Sequence, residues 1–177
     1  MSRADLMKRH FSDTLMEMCK TKRLNEITVS DLIQAADTAK QTFYNHFADM
    51  DDLICYSASR RVFSGELPSF SKEFLLKTYE YSLAHKDFFK QLPYHTGYNS
   101  FRESTVRWLK EYSCSVFINN TMSEAEKLYR KLRINLYAVG QMDIVLTWFA
   151  SNMETPPEIL LEAVWDSAPS FMKNIDA

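Results

Sequence analysis

Glycine is nearly absent from this chain, with 3 in 177 residues, where average usage of roughly 7% would give about 12. Glycine supplies the positive-φ corners on which two-residue hairpins depend, and with them most meanders, barrels and sandwiches. A chain this poor in it is directed to long helices joined by short polar connections. No segment alternates with the period of two that a half-buried strand needs. Hydrophobic residues make up 46% and charged residues 25%, enough apolar surface to close a core and too much for disorder. The length suits one domain, or a small one fused to a medium one.

Helical spacing is visible from the start. Leu6, Met7, His10, Phe11, Leu15, Met18 and Cys19 form one stripe of a helix over 3–20. After a polar break over 20–25, Thr28 caps a short helix over 29–36 that turns Leu32, Ile33 and Ala36 inward. Asp37, Thr38 and Ala39 make a tight turn, and a second short helix over 40–46 is anchored by Phe43 and Phe47. Asp49, with Asp51 and Asp52 in the next turn, starts a fourth helix towards Ser64, its acidic groups at the positive end of the helix dipole. Gly65 and Pro68 end that unit. Further helices are expected over 71–84, 87–91, 100–119, 123–151 and 156–172, with a loop over 93–97. Ser100-Phe101-Arg102-Glu103, Ser123-Glu124-Ala125-Glu126 and Thr155-Pro156-Pro157-Glu158 each match the capping box, in which hydroxyl and carboxylate satisfy free amides reciprocally.

Several classes are excluded by what is missing. The longest uninterrupted apolar runs, 53–56 and 136–139, are four residues, against the roughly 20 of a membrane-crossing helix. Met1-Ser2-Arg3-Ala4-Asp5 leads into an amphipathic stretch and not an apolar signal segment, so a cytoplasmic protein is expected. Cys19, Cys55 and Cys114 lie far apart without Cys-x-x-Cys spacing, and read as buried small apolar residues and not as a disulfide or zinc framework. Asp49, Asp51 and Asp52 lack the glycine and glutamate of a calcium loop. There is no GxSxG, HExxH, P-loop or GxGxxG. Neither an enzyme nor a metal or cofactor is expected.

The informative segment runs over 27–53, ITVSDLIQAADTAKQTFYNHFADMDDL. Two short helices joined by a tight turn on a longer first helix make helix-turn-helix geometry. The second carries Lys40, Gln41, Thr42, Tyr44, Asn45 and His46, types that reach base edges and phosphates from a major groove. The ordered identities resemble the TetR family of bacterial regulators: Thr28, Val29, Asp31, Ile33 and Ala36 in the first short helix, Thr42-Phe43-Tyr44-Asn45-His46-Phe47 in the second, and Leu53 beyond it.

That resemblance implies an all-α, TetR-like fold, with a DNA-binding domain over 1–56 and a helical effector-binding and dimerisation domain over 57–177. It implies a ligand-responsive repressor, acting as a homodimer on a palindromic operator of double-stranded DNA. Thr28 and Tyr44 would meet phosphates, Thr42 and His46 would sit close to the backbone, and Lys40, Gln41 and Asn45 would face the groove and carry operator choice. Three positions depart from the pattern. Asp37 stands where the family places a turn glycine. Ala39 stands where it places a capping serine, with Thr38 one residue earlier as the substitute cap. Met50 stands where it places a phosphate-meeting lysine.

Downstream, Asn99-Ser100-Phe101-Arg102-Glu103 and the stretch from Trp148 to Glu158 (WFASNMETPPE) resemble the C-terminal region of a subset of this family that includes dihydroxyacetone-kinase-operon regulators. In that branch some proteins work with a protein coactivator, which the resemblance adds as a candidate partner. Among the many aromatics after residue 60, Phe63 included, Trp108 and Tyr112 share a helix face and are the candidate pair for a small-molecule effector pocket. His10 reads as a core or interface residue, and His85 and His95 flank the 87–92 segment, where a pocket lining and a bland surface role both fit. Leu132, Leu136, Val139, Met142, Val145, Leu146 and Phe149 make one stripe of the long helix; Leu160, Ala163, Val164, Ser167 and Phe171 make that of the last. The family pairs its final helices with their copies, which points to Val145, Phe149, Leu160, Ala163, Val164 and Ser167 as dimer contacts. Packing within the chain alone is the other reading of both stripes. Gly140, at a cost of roughly 1 kcal/mol in mid-helix, is expected where another helix approaches closely.

Charge gives the DNA reading no help. The chain carries a net −2. Residues 1–50 set Arg3, Lys8, Arg9, Lys20, Lys22, Arg23 and Lys40 against Asp5, Asp13, Glu17, Glu26, Asp31, Asp37 and Asp49, a balance of zero. Phosphate contacts dominate protein–DNA affinity, so weak binding, or binding assisted by a partner, is expected. The rival reading is a TetR-like coactivator or protein-interaction module that depends on a protein partner.

Overall fold

Ten α-helices and two 3-10 turns, with no strand, make up the described residues, 2–60 and 70–173, of a computed structural model of the chain. The helices are α1 (Arg3–Met18), α2 (Val29–Ala35), α3 (Lys40–Tyr44), α4 (Met50–Ser59), α5 (Lys72–Ala84), α6 (Lys86–Phe89), α7 (Phe101–Phe117), α8 (Glu124–Ala150), α9 (Pro157–Ser167) and α10 (Ser170–Lys173). The 3-10 turns are Leu24–Glu26 and Leu92–Tyr94, the second falling where a plain loop is expected. The helix expected over 156–172 divides at Ala168, which is extended (φ −65°, ψ 138°). Pro169 follows it, and a proline disfavours helical geometry in the residue before it. The expected end of the fourth helix at Ser64, its terminators Gly65 and Pro68, and Phe63 lie outside the described residues.

The helix starts are capped, though not always by the expected groups. Ser2 with Asp5 and Thr28 with Asp31 form complete capping boxes, built on aspartate in place of the glutamate or glutamine of the usual pattern. Ser100 and Ser123 accept from the amides of Glu103 (3.4 Å) and Glu126 (3.2 Å). Their carboxylates do not return the bond: Glu103 takes Arg102 and Glu126 takes Arg130. The third expected box does not form. Pro156 is the residue before α9 and offers no side-chain cap, while the Thr155 carbonyl accepts from the Trp148 indole N–H at 2.8 Å.

One continuous apolar core follows from these helices, described in two parts. In the first, Phe11, Leu15, Leu32, Phe43 and Leu53 are fully buried, and Phe11 meets Phe43 edge-on at 5.6 Å and Phe47 at 6.2 Å. In the second, Phe88, Phe89, Leu92, Ile134, Phe149, Val164 and Met172 are fully or almost fully buried, with Phe89 and Phe149 at 5.3 Å. Burying each such side chain is worth about 1.5–3 kcal/mol. α4 packs on both α1 and α7.

Helix α8 has two apolar faces. Ile134, Tyr137, Ala138, Met142, Val145, Trp148 and Phe149 are buried. Leu128, Leu132, Leu136 and Ile144 point outward, 59%, 57%, 67% and 42% exposed, so Leu132 and Leu136 leave the inward stripe expected for them. Gly140 lies in that outward row at four-residue spacing. A Cβ built on it would meet nothing within 4 Å, so among the described residues no helix makes the close approach expected there. His10 is exposed and not a core residue, and it bonds through Nε2 to the Ala36 carbonyl at 2.8 Å, tying α1 to the end of α2.

Candidate nucleic-acid interface

The geometry of α3 is set by the turn before it. At the end of α2 the Asp37 amide donates to Gln34 O (3.2 Å) and the Thr38 amide to Ile33 O (3.0 Å), the bond pair of a Schellman ending. Such an ending needs a left-handed residue, and Asp37 has φ +48°. Aspartate enters that region more readily than most residues but less easily than glycine. The cap expected from Thr38 does not form. Ala39 occupies the capping position of α3 with no side-chain bond, and the Thr38 hydroxyl is buried without a partner. Cap geometry requires the side chain of the last extended residue, which is Ala39.

Phe43 and Phe47, 0% and 2% exposed, pin one side of α3 to α1. Lys40, Gln41, Tyr44 and Asn45 are thereby left exposed, with Thr42 and His46 half-buried. Gln41 Nε2 donates to Asn45 Oδ1 at 3.0 Å, and Lys40 Nζ lies 5.9 Å from the Tyr44 ring centroid. These are amide, ammonium and phenol groups on one convex face, the set that can bond base edges and phosphates. Residues 39–46 contain no carboxylate. Elsewhere in the N-terminal part, Asp13 pairs with Arg60, Glu17 with Lys20 and Asp31 with Lys22. Thr28 is exposed, but its hydroxyl is occupied by the cap of α2. The Lys22 ammonium first, and then the Thr28 amide and hydroxyl, hold the Asp31 carboxyl down at about 2. Met50 is half-buried in the first turn of α4. Asp49 accepts from the Asp52 amide and Asp52 from the Ala48 amide, the capping role expected of that acidic group.

The bundle is fastened to the helices behind it by a few side chains, of which Gln91 is not marked by any sequence pattern. Gln91 Oε1 accepts from the Leu24 amide at 2.5 Å, and its Nε2 donates to the carbonyls of Cys19 (3.2 Å) and Asp87 (2.8 Å). His95 meets Asp51 of α4. A groove of about 1110 Å³ opens between these parts, lined among others by Arg23, Ile27, Met50, Lys90, His95 and Phe149. His95 lines it and His85 does not. His85 packs on Tyr81 at 4.4 Å, and burial, then the nearby Arg60 charge, lowers its pKa.

Trp108 and Tyr112 stack on each other at 5.2 Å with rings 9° apart. They share a face as expected and do not line this groove. Of the six expected dimer contacts, Val145, Phe149, Leu160 and Val164 are buried inside the chain's own core, which removes them from any surface. Ala163 and Ser167 are exposed. The outward row of α8 is the part of the surface that the sequence pattern could not separate from the inward one. Cys19 is buried, and burial pushes its thiol up to about 12; Cys55 and Cys114 are half-buried. Among the described residues no His, Cys, Asp and Glu group is placed to hold a metal ion, and no helix is long and apolar enough to cross a membrane.

A TetR-type family model, described as a transcriptional regulator C-terminal region, matches residues 71–166. That span covers α5 to most of α9, more than half of the chain. No curated protein matches the sequence. Among solved structures, the dihydroxyacetone kinase operon activator DhaS is similar at a TM-score of 0.61, over 90% of this chain and 92% of its own, with 15% of residues identical. At that identity the likeness is one of fold, and it extends the match across the helix-turn-helix. With an all-helical architecture and a matching C-terminal region, the chain belongs to the TetR family of transcriptional regulators.

Proposed function

We propose that the chain is a DNA-binding regulator that works in the cytoplasm as a homodimer and answers to a small-molecule effector. The division is the one expected, a reading domain over 1–56 and an effector-binding and dimerisation domain over 57–177. The observation that carries the reading is the α3 surface: Lys40, Gln41, Tyr44 and Asn45 exposed together on a helix anchored by Phe43 and Phe47. Lys40, Gln41 and Asn45 read base edges of a palindromic operator, Tyr44 and Thr28 meet phosphates, and Thr42 and His46 lie against the backbone. Two copies pair through the outward face of α8, where Leu128, Leu132, Leu136 and Ile144 are exposed, together with Ala163 and Ser167 of α9. Trp108 and Tyr112 remain the candidate effector contacts within the helical domain.

A second reading, a regulator that leans on a protein coactivator for its effect, is favoured by the even charge balance of residues 1–50 and by the uncapped Ala39. Salt dependence separates the two. Gel-shift titration of the chain on DNA from upstream of its own gene, at several salt concentrations, should show binding with a steep negative slope. Tyr44→Ala should weaken binding to all sequences, and Gln41→Ala should relax preference among them by about 1–3 kcal/mol at the contacted base. If neither substitution changes binding, α3 is not the reading helix. Binding that appears only with an added partner protein supports the second reading.

A further inference from the structure

We propose that the groove between the helix-turn-helix and the helices behind it is a binding site for a small organic anion with an apolar body. At about 1110 Å³ it is somewhat larger than the roughly 300–1,000 Å³ of most small-molecule pockets, and it lies at a boundary between packed units, where such pockets are commonly found. One wall comes from residues 19–27 and 50–54, and the other from 90–96 and 149–152 at the end of α8. This is separate from the Trp108–Tyr112 pair.

The lining sets three cations, Lys22, Arg23 and Lys90, against one carboxylate, Asp51. The carboxylates that pair with Lys22 and Lys90 are Asp31 and Asp87, and neither lines the groove. Asp51 is engaged by His95. Arg23 is exposed and has no ion pair among the described residues. The Lys22 and Lys90 ammonium groups are thus taken by carboxylates, and the Arg23 guanidinium is the lining cation with no ion pair among the described residues. Buried Leu24, Ile27, Ile54 and Phe149 supply low-dielectric walls around that guanidinium.

The chemistry of recognition follows from the two walls. A phosphate or carboxylate group takes two parallel bonds from the Arg23 guanidinium and a point charge from Lys90 opposite. A ring-sized apolar body rests on Ile27 and Ile54. Because Arg23 belongs to the helix-turn-helix side and Lys90 to the other, the bound anion braces the two together, alongside Gln91 and His95. It shifts the position of α3 only so far as it favours this docked arrangement over a loosened one. That regulatory consequence rests on the proposed reading of α3; the binding itself does not.

The test is calorimetric titration of the full chain at constant ionic strength with phenyl phosphate, with inorganic phosphate and phenol as its anionic and apolar parts. Phenyl phosphate should bind saturably at one site per chain, inorganic phosphate more weakly, and phenol not measurably. Arg23→Gln and Lys90→Gln should each weaken phenyl phosphate at least tenfold while melting like the parent in its absence, whereas Lys40→Gln on α3 should bind it as the parent does. Absence of saturable binding, unchanged binding in both groove variants, or loss in Lys40→Gln instead would overturn the proposal. Gel shifts run without phenyl phosphate keep the outcomes apart: DNA binding that persists while phenyl phosphate fails to bind sinks the groove and spares the reading helix.

Discussion

The His95 ring joins α4 to α7: its Nε2 lies 2.9 Å from Asp51 Oδ1, and its Nδ1 accepts from the Phe101 amide at 3.2 Å. An accepting Nδ1 carries no hydrogen, so the ring hydrogen sits on Nε2 and donates to the carboxylate. One side chain thereby satisfies an amide at the start of α7 and holds the first turn of α4. His95→Ala should cost about 1–2 kcal/mol in urea denaturation and should speed hydrogen exchange at the Phe101 amide. Asp51→Ala should lower stability without changing that exchange. Equal exchange in both variants would show that the ring does not protect Phe101.

The turn before α3 is underoptimised at three successive positions, and each can be improved on physical grounds. Asp37→Gly removes a left-handed side-chain conformation and should gain about 1 kcal/mol. Ala39→Ser supplies the missing cap, worth about 1 kcal/mol. Thr38→Val replaces a buried hydroxyl that lacks a partner and should stabilise by a similar amount, about 1 kcal/mol. Thermal melts of the three variants check this; a destabilised Ala39→Ser would mean that the start of α3 does not sit as described.

Asp31 carries the pH dependence of the α2 cap. Its carboxyl is held at about 2, below its ordinary 3.8, with Lys22 the largest cause. A carboxyl lowered on folding supports the folded state above its unfolded value and loses that support as pH falls through the folded one. The contribution is therefore complete above about pH 4 and fades towards about pH 2. Carbon NMR titration should place Asp31 near 2 in the parent and nearer 3.8 in Lys22→Met. No movement in the variant would remove Lys22 as the cause.

Gly140 distinguishes a free face from a shared one. Its Cβ position is open among the described residues, so Gly140→Ala should stabilise α8 by about 1 kcal/mol if nothing else approaches. Leu136→Glu and Ile144→Glu, both on exposed positions, should leave the fold intact and turn dimers into monomers in sedimentation experiments. Monomeric parent protein, or dimers that survive both charges, would place pairing elsewhere.

The sequence made the helices legible because their starts are local events: Ser100 and Ser123 each cap the helix that their spacing announces. It made the α3 surface legible because Phe43 and Phe47 divide that short helix into an anchored side and an open one. Two kinds of feature stayed hidden. Boxes closed by aspartate, at Ser2 and Thr28, have a shorter reach than the pattern sought. The faces of α8 could not be sorted because a helix apolar on two sides carries no mark of which side its own chain covers. Leu132 and Leu136 shared a periodicity with Met142 and Val145, yet the first pair is exposed and the second is buried. The bonds of Gln91 and His95 were out of reach for another reason, since their partners lie 67 and 44 residues away, although the sequence already marks His95 as a candidate pocket residue.

Gln91 commits its whole amide to three backbone groups, two of them in the corner between α1 and α2. Backbone groups are common to nearly every amino acid, so that corner is free to change its side chains without losing its fastening. Residue 91 has no such freedom. Shortening it to asparagine would leave the amide out of reach of Leu24, and a glutamate could accept there but donate to neither carbonyl. A chimera that grafts a foreign helix-turn-helix onto these helices can therefore vary it widely, provided the glutamine stays with the helices that receive it.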